Sequence, residues 1–213
     1  MMLKAPLPGT VKTRLAASIG VAAATDVYRG LVEHQAAQVP LEWCVEVHFT
    51  PVEAEAQMRD WLAPLLPEQT VFLPQAEGDL GARLRAALAG VVLRGAKQVL
   101  FIGADCPQLT VERLREAAVL LLAADFVLSP ATDGGYVLIG LADNHDFIFK
   151  GITWSTSAVC EQTKRNIQRR GMSLQLLESL DDVDDLPSLL QTCQRCPAIK
   201  SRQSSSLQTG AFL

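Results

Sequence analysis

"QVLFIGADCPQLT" (residues 98–110) decides the fold. "QVLFIG" (98–103) is a short apolar run followed by a proline turn, the pattern of a buried strand. A strand apolar on both faces belongs in an α/β sheet covered by helices on each side. Asp105 follows it at once, and Cys106-Pro107 turns the chain toward a helix opening at Thr110. In open α/β sheets, ligands collect beyond the carboxyl ends of the strands. A carboxylate placed there needs a cation, a helix cap or water. Asp105 is therefore either a ligand for a cation or the cap of the next turn.

The same grammar extends in both directions. Downstream, Leu114, Ala118 and Leu121 share a helix face, and "DFVLSPA" (125–131) and "YVLIGL" (136–141) read as strands separated by little more than Asp133-Gly134-Gly135. Ser155/Thr156 open another helix, "SLQLLES" (173–179) is a last strand, "DDVDD" (181–185) an acidic turn, and Leu186, Leu189, Leu190 and Cys193 line a final helix. Upstream, strands at "WCVEVHF" (43–49) and "TVFLP" (70–74) alternate with helices near 24–39, 52–62 and 80–92. Alternation over nearly the whole chain predicts an α/β layered sheet. The short link between the strands at 125 and 136 makes the sheet mixed, though mostly parallel.

With 213 residues, 49% hydrophobic and 20% charged, the chain fits one globular domain, residues 1–196, followed by a polar aperiodic tail, 197–213. A net charge of −4 argues against a broad nucleic-acid footprint. No apolar run is long enough for a membrane span and no secretion signal is evident, so a cytoplasmic location is the expectation. Five scattered cysteines suit a reducing compartment, and Cys193-x-x-Cys196 lacks the partners of a zinc site. The apolar content is compatible with a homodimer.

"MMLKAPLPGTVKTRL" (1–15) supplies cations. Pro6 and Pro8 hold their predecessors extended, Gly9 allows a bend, and Thr10 is placed to cap a helix carrying Lys12 and Arg14. Such a loop suits phosphate, although two solvated cations after a turn would look the same. Asp133, beyond its strand, is either a second oxygen ligand beside Asp105 for Mg²⁺ or Mn²⁺, or the start of an Asp-Gly hairpin turn. In "EGDLGARL" (77–84), Gly78 and Gly81 let a planar base lie on the backbone, while Asp79 caps a helix or serves that site. Trp154, in "WST", is either core or a platform for an acceptor. Cys106 as a nucleophile lacks a nearby histidine, with His34, His48 and His145 all distant in sequence.

Taken together and in order, "KAPLPGTVKTRL", "GDLGARL", "GADCPQLT", "DGGYVLIGL" and "WST" resemble a bacterial glycosyltransferase-like family, the radical-SAM/selenodomain-associated transferases, over about residues 3–190. The resemblance implies the GT-A nucleotide-diphospho-sugar transferase fold, a three-layer α/β/α sandwich, with the molybdenum-cofactor and phospholactate guanylyltransferases as nearer relatives. It also implies a nucleotide at the first loop, Pro8 and Gly9, with Lys12 and Arg14 on its phosphates; Gly78, Asp79 and Gly81 are read as further nucleotide-binding candidates. Asp105 would occupy the metal-binding position, with Asp133 at or beside the second. An acceptor would lie over Gly134, Gly135, Tyr136, Trp154, Ser155 and Thr156. One departure is that only Met1-Met2-Leu3 precede "KAP", where such proteins carry a full apolar strand.

The expected activity is Mg²⁺-dependent transfer from a nucleotide or nucleotide-sugar donor to a small acceptor, with Lys12, Arg14 and Asp105 as the catalytic groups. Glycosyl transfer and nucleotidyl transfer with pyrophosphate release use the same groups. A nucleotide-binding regulatory protein without turnover is the alternative of another class.

Overall fold

A computed structural model describes residues 1–196; the proposed tail, 197–213, lies outside the described residues. Among the described residues, seven strands and seven α-helices alternate over most of the length, as expected. The strands are β1 (Met2–Lys4), β2 (Glu46–Thr50), β3 (Val71–Pro74), β4 (Val99–Ile102), β5 (Phe126–Pro130), β6 (Tyr136–Leu141) and β7 (Leu174–Leu176). The helices are α1 (Thr13–Ile19), α2 (Val21–Gln38), α3 (Glu55–Leu62), α4 (Leu80–Leu93), α5 (Val111–Leu120), α6 (Val159–Gln168) and α7 (Leu186–Arg195).

Successive residues of the central strands point into different cores, as a period of two requires. Ile102, Val127 and Leu138 join a cluster with Tyr28 and Val32 of α2, Met58 and Leu62 of α3, and Leu114 and Ala117 of α5. Phe101, Phe126, Leu128, Ile139 and Leu141 join the opposite cluster with Leu84 and Leu88 of α4 and Cys160 and Ile167 of α6. The result is a three-layer α/β/α sandwich. A third cluster joins Leu15, Leu31, Val183 and Leu189, packing α1 and α7 against α2.

The hydrogen-bonded sheet is split. β1, β2 and β3 form a parallel sheet, and β4-β6-β5-β7 a mixed one in which only β6 runs antiparallel to its neighbours. The three-residue β1 makes no ladder with β4. Between the amino ends of β2 and β4 lies a largely apolar cavity of about 430 Å³, lined by Val45, His48, Val99, Phe101 and Ala118 among others.

Because β4 and β5 each pair antiparallel with β6, they run parallel to one another and end at one rim. β7 runs parallel to β5, so the segment after it returns to that rim as well. Filling the cavity at the opposite end should be favourable: Ala118→Leu is expected to raise stability by about 0.5–2 kcal/mol, within the usual range for cavity filling. The check is the urea midpoint, and a lower midpoint would show that the cavity has no room for the larger side chain.

Candidate active site

The loop after β1 is pinned at both ends. Ala5 N–H donates to the Thr50 carbonyl (2.8 Å), and the Tyr28 hydroxyl accepts from Lys4 N–H and donates to the Lys4 carbonyl. Thr10 does not cap a helix; its hydroxyl donates to the Leu7 carbonyl, and α1 begins three residues later at Thr13. Lys12 instead occupies the position before the helix, with φ 47° and ψ 46°. Among the described residues, Lys12 and Ser155 are the two non-glycine residues with positive φ. For such residues the left-handed conformation costs about 1–3 kcal/mol and persists only where surrounding contacts enforce it.

The contacts that enforce it at Lys12 are ionic. Its side chain is only 4% exposed, and Nζ lies 2.7 Å from Asp105 Oδ1 and 3.4 Å from Asp184 Oδ1 while donating to the Val183 carbonyl. Asp105 Oδ1 is itself buried and, despite the nearby ammonium, accepts no hydrogen bond of good direction. Arg14 is largely solvent-exposed and reaches Asp184 Oδ2 at 3.4 Å.

Asp105, Asp133 and Asp182 line one cleft of about 130 Å³ at the carboxyl rim, together with Gly103, Gly135 and Tyr136. The rim thus joins groups from the loops after β1, β4, β5 and β7. Asp182 and Asp184 are functional candidates that the sequence reading passed over as an acidic turn. The sequence offered only a weak signal for them, an acidic turn following the last expected strand, 173–179. Val183 N–H donates to the Asp105 carbonyl (2.8 Å) and locks the two loops together. Asp185 is occupied otherwise, accepting from Ser188 N–H in a capping box that starts α7.

Burial raises the Asp182 carboxyl to about 6, with repulsion from Asp184 and Asp133 adding to it and Lys12 opposing. The donor set of carboxylate and carbonyl oxygens is the hard type that Mg²⁺ or Mn²⁺ prefers. Among the described residues no group of three or more His, Cys, Asp or Glu side chains is gathered closely enough to hold a metal by itself. A divalent ion here would therefore complete its shell from substrate phosphate and water, as Mg²⁺ commonly does.

The remaining predicted residues divide. Pro8 and Gly9 are exposed in the first loop. Gly78 (φ 104°) lies in the loop after β3; Asp79 Oδ1 accepts from Ala82 N–H (2.7 Å) as the cap of α4, and Arg83 donates to the Gly78 carbonyl. Gly81 offers no surface to a base, because a Cβ there would meet Trp154 Nε1 at 2.6 Å and the Phe149 carbonyl at 2.7 Å. Trp154 fills that space and packs on the second core cluster.

Asp133 Oδ1 accepts from Gly135 N–H (2.8 Å), so the turn reading and a rim carboxylate coexist. Gly134 (φ 92°) presses on the Ser157 backbone, and its carbonyl accepts from Cys160 N–H. Tyr136 contributes to the cleft wall, while its hydroxyl is buried facing Thr163 and burial raises its pKa. The helix expected to open at Ser155/Thr156 starts at Val159, because Ser155 is left-handed and Thr156 Oγ1 donates back to the Thr153 carbonyl.

Cys106 is buried with its thiol pushed up to about 12, chiefly by that burial, which leaves almost no thiolate at neutral pH. The histidines are engaged elsewhere: His34 with the Pro107 carbonyl, His48 with Glu46, and His145 in a ring cluster with Phe126 and Phe147. Cys193 and Cys196 pack along the third core cluster.

Two expectations follow. The folded Asp182 binds its proton more tightly than the unfolded chain, so stability falls as pH rises from about 4 to about 6 and stays lower above that window. Asp182→Asn should therefore raise the urea midpoint at pH 7.5 and change it little at pH 4; equal effects at both would refute the assignment. Gly134→Ala should cost about 2 kcal/mol or more through its positive φ and its collision with Ser157, again read from the urea midpoint.

Comparison with solved structures places this geometry in context. A "putative nucleotide-diphospho-sugar transferase" from Desulfovibrio desulfuricans G20 superposes with a TM-score of 0.84 at 27% identity, over 98% of this chain and 96% of that one. 4-Diphosphocytidyl-2C-methyl-D-erythritol synthase from Anaerococcus prevotii DSM 20548 shares the fold at 6% identity, with a TM-score of 0.57 over 92% and 97% of the two chains. Rv0371c from Mycobacterium tuberculosis H37Rv, crystallised with manganese, matches at 17% identity and a TM-score of 0.51 over 91% and 96%. No curated protein matches the sequence. The family model for an uncharacterized protein conserved in bacteria (DUF2064) matches residues 34–156, over half of the chain. The chain belongs to that family.

Proposed function

We propose that the protein is a divalent-metal-dependent transferase acting on a nucleotide or nucleotide-sugar donor. The observation that carries this reading is the contact between the Lys12 ammonium and Asp105 at the carboxyl rim, beside a cleft also lined by Asp133 and Asp182. Cations for phosphate and oxygen ligands for a metal thus meet at one place. The likeness to the Desulfovibrio protein supports the same reading.

Asp105 and Asp133 would hold Mg²⁺ or Mn²⁺, with Asp182 and Asp184 adjoining. When bound, the ion neutralises charge on the phosphates and on the leaving group. Lys12 and Arg14 bind the phosphate oxygens, and the Pro8-Gly9 loop with Gly78 and Asp79 encloses the nucleotide. The acceptor lies toward Gly134, Gly135 and Tyr136, with Ser155 and Thr156 at its edge and Trp154 behind them as packing. No covalent nucleophile is required, and Cys106 is not suited to be one. Rate acceleration comes from positioning and electrostatic stabilisation.

Attack on a sugar carbon releases a nucleoside diphosphate; attack on the α-phosphorus by a phosphorylated acceptor releases pyrophosphate. Incubation with nucleoside triphosphates and nucleotide sugars, with and without Mn²⁺ and with candidate acceptors, distinguishes the two by product. Asp105→Asn should lower metal-dependent nucleotide affinity about tenfold or more, the loss expected when a charged ligand is removed. Unchanged affinity would overturn the metal role. Nucleotide binding without any product would favour a regulatory protein.

A further inference from the structure

We propose that Lys12 is an exchangeable counter-ion: in the ligand-free protein its ammonium stands between Asp105 and Asp184 in the position a divalent cation takes, and metal with phosphate displaces it onto the phosphate. The inference rests on the metal-and-nucleotide reading above and adds a switch to it.

The environment of Nζ is that of a small hard cation. Three oxygens surround it, from Asp105, Asp184 and the Val183 carbonyl, and the side chain is almost wholly withdrawn from water. Its three N–H groups nevertheless leave Asp105 Oδ1 without a well-directed hydrogen bond. Two cations, Lys12 and the exposed Arg14, under-compensate the four carboxylates of Asp105, Asp133, Asp182 and Asp184. A doubly charged ion satisfies that set better, and like-charge repulsion then expels the ammonium from the same oxygens.

The backbone is prepared for the move. Lys12 is left-handed at the junction between the first loop and α1, and no side chain caps that helix. The residue is thus held by its ion pairs, not by its intrinsic preference. Released from them, it can relax to the right-handed region and carry the ammonium away from Asp184. The flexible stem of a lysine permits such a swing, and phosphate oxygens replace the carboxylates as acceptors. Arg14, in the first turn of α1 and already solvent-facing, meets the incoming anion first.

Competition gives the test, because a purely structural lysine or a simple phosphate ligand does not oppose metal binding. Mn²⁺ affinity without nucleotide, measured by loss of the free Mn²⁺ electron paramagnetic resonance signal, should rise about tenfold in Lys12→Met and Lys12→Gln, from removal of a like charge at the site. In the same variants, affinity for pyrophosphate with Mn²⁺ should fall about tenfold or more, through loss of a charge-assisted contact. Should those variants not fold, the wild-type protein gives the answer by acetic anhydride labelling and mass spectrometry. Lys12 should be protected alone, more reactive with Mg²⁺, and protected again with Mg²⁺ and pyrophosphate.

Mn²⁺ affinity unchanged or weakened in both variants, or Lys12 labelling indifferent to Mg²⁺, overturns the exchange. If Mn²⁺ still binds and Asp105→Asn abolishes that binding, the metal reading survives without the switch. If the wild type and both Lys12 variants all fail to bind Mn²⁺, both fall together.

Discussion

The rim depends on one buried ammonium among carboxylates. Three loops deliver Asp105, Asp133, Asp182 and Asp184 to the same end of the sheet, and their mutual repulsion would push those loops apart in the absence of a cation. Lys12 supplies it from a fourth loop, the one after β1, at the cost of a left-handed backbone that lysine does not prefer. A partly buried ion set of this kind is a poor device for stability, since desolvation offsets much of the attraction. It suits the proposed binding of a polyanion through a metal, because the carboxylates are already positioned and the ammonium is free to exchange onto phosphate. The raised Asp182 carboxyl is the signature of that compromise.

The fold produces this convergence through strand direction. β6 runs backwards between β4 and β5, so the residues following those two strands emerge side by side. β7 then adds parallel to β5 and brings the acidic turn at 181–185 back to the rim. Hydrogen bonds between loops fix the result: Val183 N–H to the Asp105 carbonyl, Leu180 N–H to the Pro130 carbonyl, and Gln75 to the carbonyls of Leu3 and His48. The break between β1 and β4 lies away from this end, where a cavity takes the place of a ladder.

Most of the architecture was legible because it is written locally. Apolar runs of strand length alternate with helix-spaced leucines, and Asp105 after a fully apolar strand marks the rim without any structure. Lys12 was legible as a cation of the first loop, but its left-handed backbone and the failure of Thr10 to cap were not, because contacts with Asp105 and Val183, distant in sequence, override the local preference. Asp182 and Asp184 were lost for a related reason: "DDVDD" has the composition of an ordinary polar turn, and only the pairing of β7 with β5 gives it a position. The contact of Trp154 with Gly81 joins positions far apart in sequence and left no local mark, so a glycine that looked open to a base is in fact filled by indole.

The most direct test is a crystal structure of the protein grown with Mn²⁺ and a nucleotide, with the ion located by anomalous scattering. The account requires a manganese peak coordinated by the Asp105 carboxylate and bridged to phosphate, with Lys12 Nζ on phosphate oxygens and no longer between Asp105 and Asp184. Manganese bound elsewhere with Asp105 still paired to Lys12, or nucleotide seated in the cavity between β2 and β4, would contradict it.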